Sequence, residues 1–203
     1  MRARDLMTAP VITAHPWTTA KEAAEVLSRH GFTALPVVDD DDRLVGIVTE
    51  ADLIRGRIPV DPRYAHLHHD TAAAGRTVSQ VMTSPVTAMS TGTDVADLCQ
   101  ALVDARIRAM PIVDGSAVVG IVTRGDVVRV LAREDAEIAR EVKHRLETYG
   151  GSGRWRIDVR DGFVHIADQF DDDSDRHVAR LLALAVPGVV AADAAYAGEE
   201  QTR

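Results

Sequence analysis

Residues 46–52 read GIVTEAD, and residues 120–126 read GIVTRGD. The similarity extends outward from both motifs, so that residues 5–55 align with residues 80–130. The offset is 75 in the first part of this alignment and becomes 74 after a turn that is one residue shorter in the second copy. A pattern of this length does not recur in one register by chance, so the first two thirds of the chain form an internal repeat.

Each repeat predicts the element order strand, helix, strand, strand, helix. The predicted strands are Val11–Thr13, Leu35–Asp39 and Leu44–Val48 in the first repeat, and Val86–Ala88, Met110–Asp114 and Val118–Val122 in the second. The runs that begin at Thr49 and Thr123 predict the final helices. Because one unit of this size has little core of its own, we expect the two repeats to bury each other's sheet faces.

Capping signals locate the first helix of each repeat. Thr19 and Glu22 have the spacing of a capping box, and Asp94 begins a weaker version of it. Gly31 is a natural C-cap, whereas the equivalent position of the second repeat holds Arg106, which is less favourable there.

The composition describes a chain that can fold around a real core. Of its 203 residues 46% are hydrophobic but only 4% are aromatic, so we expect a core of Ala, Val, Leu and Ile. The single cysteine, Cys99, excludes an intrachain disulfide and a cysteine-rich zinc site. Neither a secretory signal nor a run of about 18 apolar residues is found, and we therefore expect a cytoplasmic location.

The net charge of −8 is unevenly distributed along the chain. Residues 1–133 carry a net charge of −2, and residues 134–203 carry −6. Nucleic-acid binding depends on basic side chains that neutralise phosphates, so this balance argues against a nucleic-acid partner.

The repeated Thr-x-x-Asp segment has two interpretations. Thr is a favourable N-cap and acidic residues stabilise the first turn of a helix, so structure alone can explain Thr49 with Asp52 and Thr123 with Asp126. In the functional interpretation, the start of a helix presents free N–H groups to a phosphate, and the carboxylate accepts hydrogen bonds from the two hydroxyls of a ribose. The glycine that opens each motif permits a close backbone approach, and the combination suits a nucleotide.

With these motifs, residues 1–131 resemble a tandem of CBS (cystathionine-β-synthase) domains, also called a Bateman module. The resemblance rests on the openings DLMTAPV and QVMTSPV, the ALPVVD and AMPIVD strands, and the two GIVT-x-x-D motifs, which recur in the same order. It implies an α/β (α+β) fold in which two pseudo-symmetric βαββα units pack as a pair. The first CBS repeat is expected at residues 1–60, a linker at 61–79 and the second repeat at 80–131.

The resemblance also implies a regulatory adenosyl ligand, such as AMP, ADP, ATP or S-adenosylmethionine, in the cleft between the repeats. By this resemblance, the aspartate of each motif is expected to hold the ribose, and the threonine to face a phosphate. The adenine is expected to contact the strand before each motif and the segment that follows the first proline of each repeat. The first set of ligand residues comprises Val11, Thr13, Ala34, Leu35, Pro36, Thr49 and Asp52. The second set comprises Val86, Thr87, Ala109, Met110, Pro111, Thr123, Arg124 and Asp126.

The two sets differ in charge. Glu50 lies inside the first motif, at the position that Arg124 occupies in the second, and Arg106 and Arg108 are near Arg124 in sequence. Because an anionic phosphate prefers cationic surroundings, we predict that the second set is the tighter site. The alternative is that these arginines are solvated surface residues.

No catalytic motif stands out, and we therefore expect no enzyme activity. The segment between the repeats contains His66, His68, His69 and Asp70, for which a metal site is conceivable, but a flexible polar loop is the preferred interpretation. Cys99 lies on the apolar side of a predicted helix and is expected to be a core residue. No metal is predicted.

The C-terminal third predicts the order helix, strand, strand, helix, strand. A helix at 133–149 places Ile138, Val142 and Leu146 on one face. Alternating residues then indicate two strands joined by an Asp161-Gly162 hairpin turn, and Val189–Tyr196 is a last strand. A second helix is expected to begin within Asp171–Asp175, and its apolar residues are Val178, Leu181, Leu182 and Ala185.

Residues 134–197 resemble a BON domain, a small αββαβ module of bacterial proteins, through the runs IDVRDGFVHIA and VPGVVA. That family usually has Gly where Ala167 stands. It is often linked to phospholipid or envelope attachment, but anionic membranes attract basic patches rather than acidic ones. We therefore expect a protein-interaction module for an unknown partner, with a purely structural cap as the alternative.

Together these features predict a non-enzymatic sensor that binds an adenine nucleotide and forms a homodimer through its CBS pairs. The alternative is a phospholipid- or envelope-associated protein in which the CBS pair serves mainly for dimerisation.

Overall fold

The chain folds as a mixed α and β protein with two compact units. We analysed a computed structural model that describes residues 1–58, 61, 63 and 76–198. The N-terminal unit spans Arg2–Arg124, and the C-terminal unit begins at Gly125. Within the described residues, no helix is both long and apolar enough to cross a bilayer.

The N-terminal unit contains the two repeats. The first repeat consists of a short 3-10 helix (Ala3–Asp5), α1 (Ala20–His30), β1 (Ala34–Val38), β2 (Leu44–Thr49) and α2 (Glu50–Ile54). The second consists of a 3-10 helix (Val78–Gln80), β3 (Met89–Ser90), α3 (Val95–Asp104), β4 (Ala109–Asp114), β5 (Ala117–Thr123) and α4 (Arg124–Leu131), which continues into the C-terminal unit. β1 pairs antiparallel with β2, and β4 pairs antiparallel with β5.

The first predicted strand of each repeat is wrong in position. Val11–Thr13 and Val86–Ala88 lie outside any strand. Pairing begins just after them, with a single parallel bridge from Ala14 to Val37 and with the two-residue strand β3 beside β4. In both repeats the hydrogen-bonded part therefore lies further along the chain than the sequence pattern placed it.

Each repeat supplies a segment that closes the sheet of the other. Thr8 bridges to Ile121 of β5, and Thr83 bridges to Ile47 of β2. Beside these bridges, the glycines that open the two motifs leave room for methionines. A Cβ at Gly120 would lie 2.5 Å from the sulfur of Met7, and one at Gly46 would lie 2.7 Å from the sulfur of Met82. The methionine and the glycine recur in both repeats because each pair forms one contact across the repeats.

The core of the N-terminal unit is aliphatic, as its composition predicted. The completely or almost completely buried side chains are Leu35, Val37, Val48, Val78, Leu98, Leu102, Met110, Ile112 and Val122. A smaller cluster joins residues of both repeats: Ala34, Ile47 and Ala109 are buried together, with Val86 and Ile121 packed against them. The repeats therefore share apolar surface, which a single repeat would leave in water.

The helix caps follow the sequence signals. Thr19 and Glu22 form the capping box of α1, and the Asp94 carboxylate accepts the Ala96 N–H at the start of α3. Gly31 ends α1 in the left-handed region at φ +66°. Arg106, at the equivalent position after α3, is held at φ +54°, where a side chain is disfavoured.

Replacing Arg106 by glycine is expected to stabilise the N-terminal unit by roughly 0.5–1 kcal/mol, because glycine adopts a positive φ without steric cost. The Gly31→Ala variant is the matched control and is expected to lose stability by a similar amount. Urea unfolding followed by circular dichroism measures both changes. A lower stability for Arg106→Gly would contradict the prediction, because the Arg106 side chain would then stabilise the fold by more than its backbone strain costs.

The C-terminal unit has the predicted element order. It contains α5 (Asp135–Gly150), β6 (Trp155–Arg160), β7 (Phe163–Asp168), α6 (Asp173–Leu184) and β8 (Ala191–Tyr196). β7 is central in the sheet, antiparallel to β6 and parallel to β8. Ile138, Val142 and Leu146 of α5 are buried, as their spacing predicted.

The buried face of α6 differs from the prediction. Ala179 and Ala183 are buried, whereas Leu181 is half exposed and Ala185 is exposed. Small residues allow the helix to pack closely on the sheet, and the hydrophobic pattern alone does not distinguish this face from the larger side chains beside it.

A buried ion pair fixes the start of β6 against the end of β7. The Arg154 guanidinium donates two hydrogen bonds of 2.7 Å to Asp168, which is completely buried, and lies 2.6 Å from Asp175. The hydrogen bonds that Arg154 donates to Asp168 raise the pKa of Arg154 well above its ordinary value. The guanidinium also lies 4.2 Å from the centre of the Trp155 ring.

Asp168→Ala is expected to destabilise the C-terminal unit by about 3 kcal/mol or more, because it leaves a buried guanidinium without its main partner. The control is Asp158→Ala, whose 3.0 Å pair with Arg160 lies on the surface and is worth at most about 1 kcal/mol. Urea unfolding followed by Trp155 fluorescence, in a Trp17→Phe background, reports on this unit. Equal losses for the two variants would contradict the prediction.

Candidate functional site

The first GIVT-x-x-D motif forms the turn between β2 and α2. Thr49 ends β2 directly opposite Ala34 of β1. The Thr49 hydroxyl and backbone N–H both donate to Oδ2 of Asp52, at 2.7 and 2.9 Å. A long return bond of 3.4 Å from the Asp52 N–H to the Thr49 hydroxyl completes a capping box. The first motif therefore acts as a helix N-cap, as the structural interpretation predicted.

The same arrangement leaves the second oxygen of the Asp52 carboxylate, Oδ1, as an acceptor for a ligand. Both Thr49 donors go to Oδ2, and among the described residues none donates to Oδ1. Asp52 is only half buried, so a ligand can reach it. A carboxylate held in this way can accept hydrogen bonds from adjacent hydroxyl groups, as a ribose offers.

The remaining residues of the first set line the strand beside this turn. Ala34, Leu35 and Pro36 are buried in β1, and Ala34 faces Thr49 across the sheet. The Ala14 N–H donates to the Pro36 carbonyl, so the extended segment containing Val11 and Thr13 leads directly to β1. The sheet register thus places Ala34, Thr49 and Asp52 close together.

The second set repeats the strand part of this arrangement. Ala109 of β4 lies opposite Thr123 of β5, and Met110 and Pro111 follow it in the core. Val86 is half buried against Ala109 and Ala34, whereas Thr87 is exposed. Val86 therefore packs against a cluster that contains strand residues of both sets.

Arg124 has a structural partner that the sequence did not indicate. Its guanidinium donates to the carbonyl oxygens of Leu102 and Ile107, at 2.7 and 2.9 Å. Carbonyl groups at the C-terminal end of a helix attract a cation, so this side chain caps α3. The charge on which the predicted preference for the second set rests is therefore directed toward α3.

Asp126 lies in the first turn of α4 and is buried. Its Oδ1 accepts a hydrogen bond of 2.9 Å from Arg129, one turn along the helix. The first repeat has Arg55 at the position of Arg129, but α2 ends at Ile54 and Arg55 lies outside the helix with an extended backbone. Asp126 therefore has an arginine partner, whereas the arginine at the equivalent position of the first repeat lies outside the helix.

The other candidate residues lie outside any such arrangement. Cys99 is half buried rather than a core residue, and burial raises the pKa of its thiol, which makes it a poor nucleophile. His66, His68, His69 and Asp70 lie outside the described residues. Among the residues that are described, no three His, Cys, Asp or Glu side chains are grouped as a metal site would require.

Sequence reasoning missed the pairing of Arg129 with Asp126. The signal was present, since an arginine three residues after each aspartate is part of the repeat. The arginine pairs with the aspartate only where the helix extends as far as the arginine, and the sequence pattern did not fix the end of either helix.

Comparison with known proteins is consistent with this fold. The chain is 32% identical over 138 residues to the CBS domain-containing protein YhcV of Bacillus subtilis, which covers 66% of this chain and 88% of the relative.

Two solved structures with bound adenosyl compounds have the same fold as the repeats. The CBS domain pair of protein MJ0100, in complex with 5′-methylthioadenosine and S-adenosyl-L-methionine, has a TM-score of 0.53 and 29% identity and covers 64% of this chain and 94% of its own. CBSX2 of Arabidopsis thaliana, in complex with AMP, has a TM-score of 0.53 and 30% identity and covers 63% and 93%.

The model of the CBS domain family matches residues 3–58 and 78–133, which together make up more than half of the sequence. The chain therefore belongs to the CBS domain family and carries the domain as a pair.

Proposed function

We propose that this protein is a non-enzymatic regulatory protein that binds an adenosyl ligand through its CBS pair. The observation that carries the proposal is the Asp52 carboxylate, which Thr49 holds by one oxygen beside the strand that contains Ala34. Because Thr49 already fixes Oδ2, the orientation of Oδ1 is set before a ligand arrives. Binding then costs little side-chain entropy at Asp52, which favours recognition of a ribose. The complexes of MJ0100 and CBSX2 support the adenosyl class of ligand.

The two residue sets divide the recognition in the same way. In each set the aspartate accepts hydrogen bonds from the ribose hydroxyls, and the strand backbone beside it meets the adenine edge. The side chains of Leu35 and Met110 are buried in the core, so the strand backbone is the part that can meet the base. In the second set the ligand competes with Arg129 for the Asp126 carboxylate.

A sensor also needs a second conformational or oligomeric state with a different ligand affinity. We assign this role to a homodimer of CBS pairs, located in the cytoplasm. The C-terminal unit then serves as a BON-like interaction module for a protein partner. Its share of the net charge, −6 over residues 134–203, favours such a partner over an anionic lipid surface.

Calorimetric titration with AMP, ADP, ATP and S-adenosylmethionine tests the proposal. We expect saturable binding by at least one of them, and a loss of at least tenfold in affinity at the first set in Asp52→Asn, since charge-assisted hydrogen bonds contribute about 1.5–3 kcal/mol each. Asp104→Asn, an exposed carboxylate of α3 that bonds Gln100, is the control and should bind as the unmodified protein does.

The double variant Asp52→Asn/Asp126→Asn removes the carboxylate of both sets at once. If it binds as tightly as the unmodified protein, the aspartates are caps only. If no adenosyl compound binds to the unmodified protein, the proposed function is wrong.

A further inference from the structure

The start of α2 has few donors left for a phosphate. The Thr49 hydroxyl has one proton, and it is given to Asp52. Of the four backbone N–H groups from Thr49 to Asp52, that of Thr49 donates to Asp52, that of Glu50 donates to the Thr33 carbonyl, and that of Asp52 faces the Thr49 hydroxyl, which leaves the N–H of Ala51. Anion binding at a helix start requires several unpaired N–H groups, which this start does not offer.

The charge at this position also opposes an anion. Glu50 and Asp52 both lie in the first turn of α2, and the last turn contains no basic residue. α2 has only five residues, so its dipole is short. Glu50 is exposed beside Thr49, and an approaching phosphate would meet two carboxylates and no facing cation within the helix.

The remaining polar group of the first set favours binding of the ribose. Oδ1 of Asp52 is an acceptor, which suits hydroxyl groups and not phosphate oxygens. We infer that the first set takes an adenosyl ligand whose 5′ substituent is neutral or cationic, such as a thioether or a sulfonium, and discriminates against a 5′ phosphate. This inference rests on the proposed function, and it specifies the class of ligand that the site accepts.

The nearest basic side chain in sequence is Arg55, which follows α2. It is exposed, and its backbone N–H closes the helix on the Ala51 carbonyl. A helix of five residues is about 7.5 Å long, so the arginine begins at the end remote from Thr49. The experiment therefore includes Arg55 explicitly.

Binding is measured by calorimetry in the Asp126→Asn variant, in which the first set is the one left intact. The probes are 5′-methylthioadenosine, S-adenosylmethionine, AMP and ATP. We expect the two sulfur compounds to bind at least tenfold more tightly than AMP, and ATP to bind more weakly still. The difference should shrink as the salt concentration is raised, because charge repulsion is screened.

Two variants test the cause of this preference. Glu50→Arg, which places in the first motif the residue that the second motif carries, is expected to reduce the preference against AMP by several fold. Arg55→Met is expected to leave the order of affinities unchanged.

Three results would overturn the inference. AMP or ATP binding as tightly as the sulfur compounds would do so while leaving the proposed function intact. So would a loss of AMP binding specific to Arg55→Met, since Arg55 would then supply the missing cation. Failure of all four probes to bind the unmodified protein would instead reject the proposed function, and the inference with it.

Discussion

The contact of a methionine with a glycine across the repeats is the constraint on which the N-terminal unit depends. Met7 covers Gly120, and Met82 covers Gly46, so each repeat lacks part of its own sheet edge without the other. The glycine is also the first residue of the GIVT-x-x-D motif. The packing that joins the repeats and the turn that presents Asp52 are therefore parts of one strand, β2, and a change in one disturbs the other.

The capping box connects stability with recognition. Thr49 satisfies the start of α2 and at the same time fixes one oxygen of Asp52. The structural and functional interpretations of the motif are thus compatible, because different oxygens of one carboxylate serve them. The same bonds also consume the donors that a phosphate would use, so the cap restricts which ligands the turn can accept.

Much of this fold could be predicted from the sequence because its signals are local or repeated. The capping box at Thr19, the glycine at residue 31 and the alternation along β6 each act within a few residues. The features that the sequence did not reveal depend on distant or competing contacts. Arg124 finds carbonyl groups at the end of α3, and Arg129 reaches Asp126 only because α4 is longer than α2. In α6 the fully buried residues are Ala179 and Ala183, with Leu182 packed against the same core, whereas Leu181 is half exposed.

The crossed arrangement of the opening segments has a consequence for how such a molecule arises and diversifies. Two copies of a single repeat would make the same contacts by exchanging their first residues, as in a domain-swapped dimer, and tandem duplication places that exchange within one chain. Met7 then contacts Gly120, and Met82 contacts Gly46, although the members of each pair belong to different halves of the duplication. Once joined in this way, the halves are free to differ elsewhere, and the unequal surroundings of Asp52 and Asp126 are an example of that freedom.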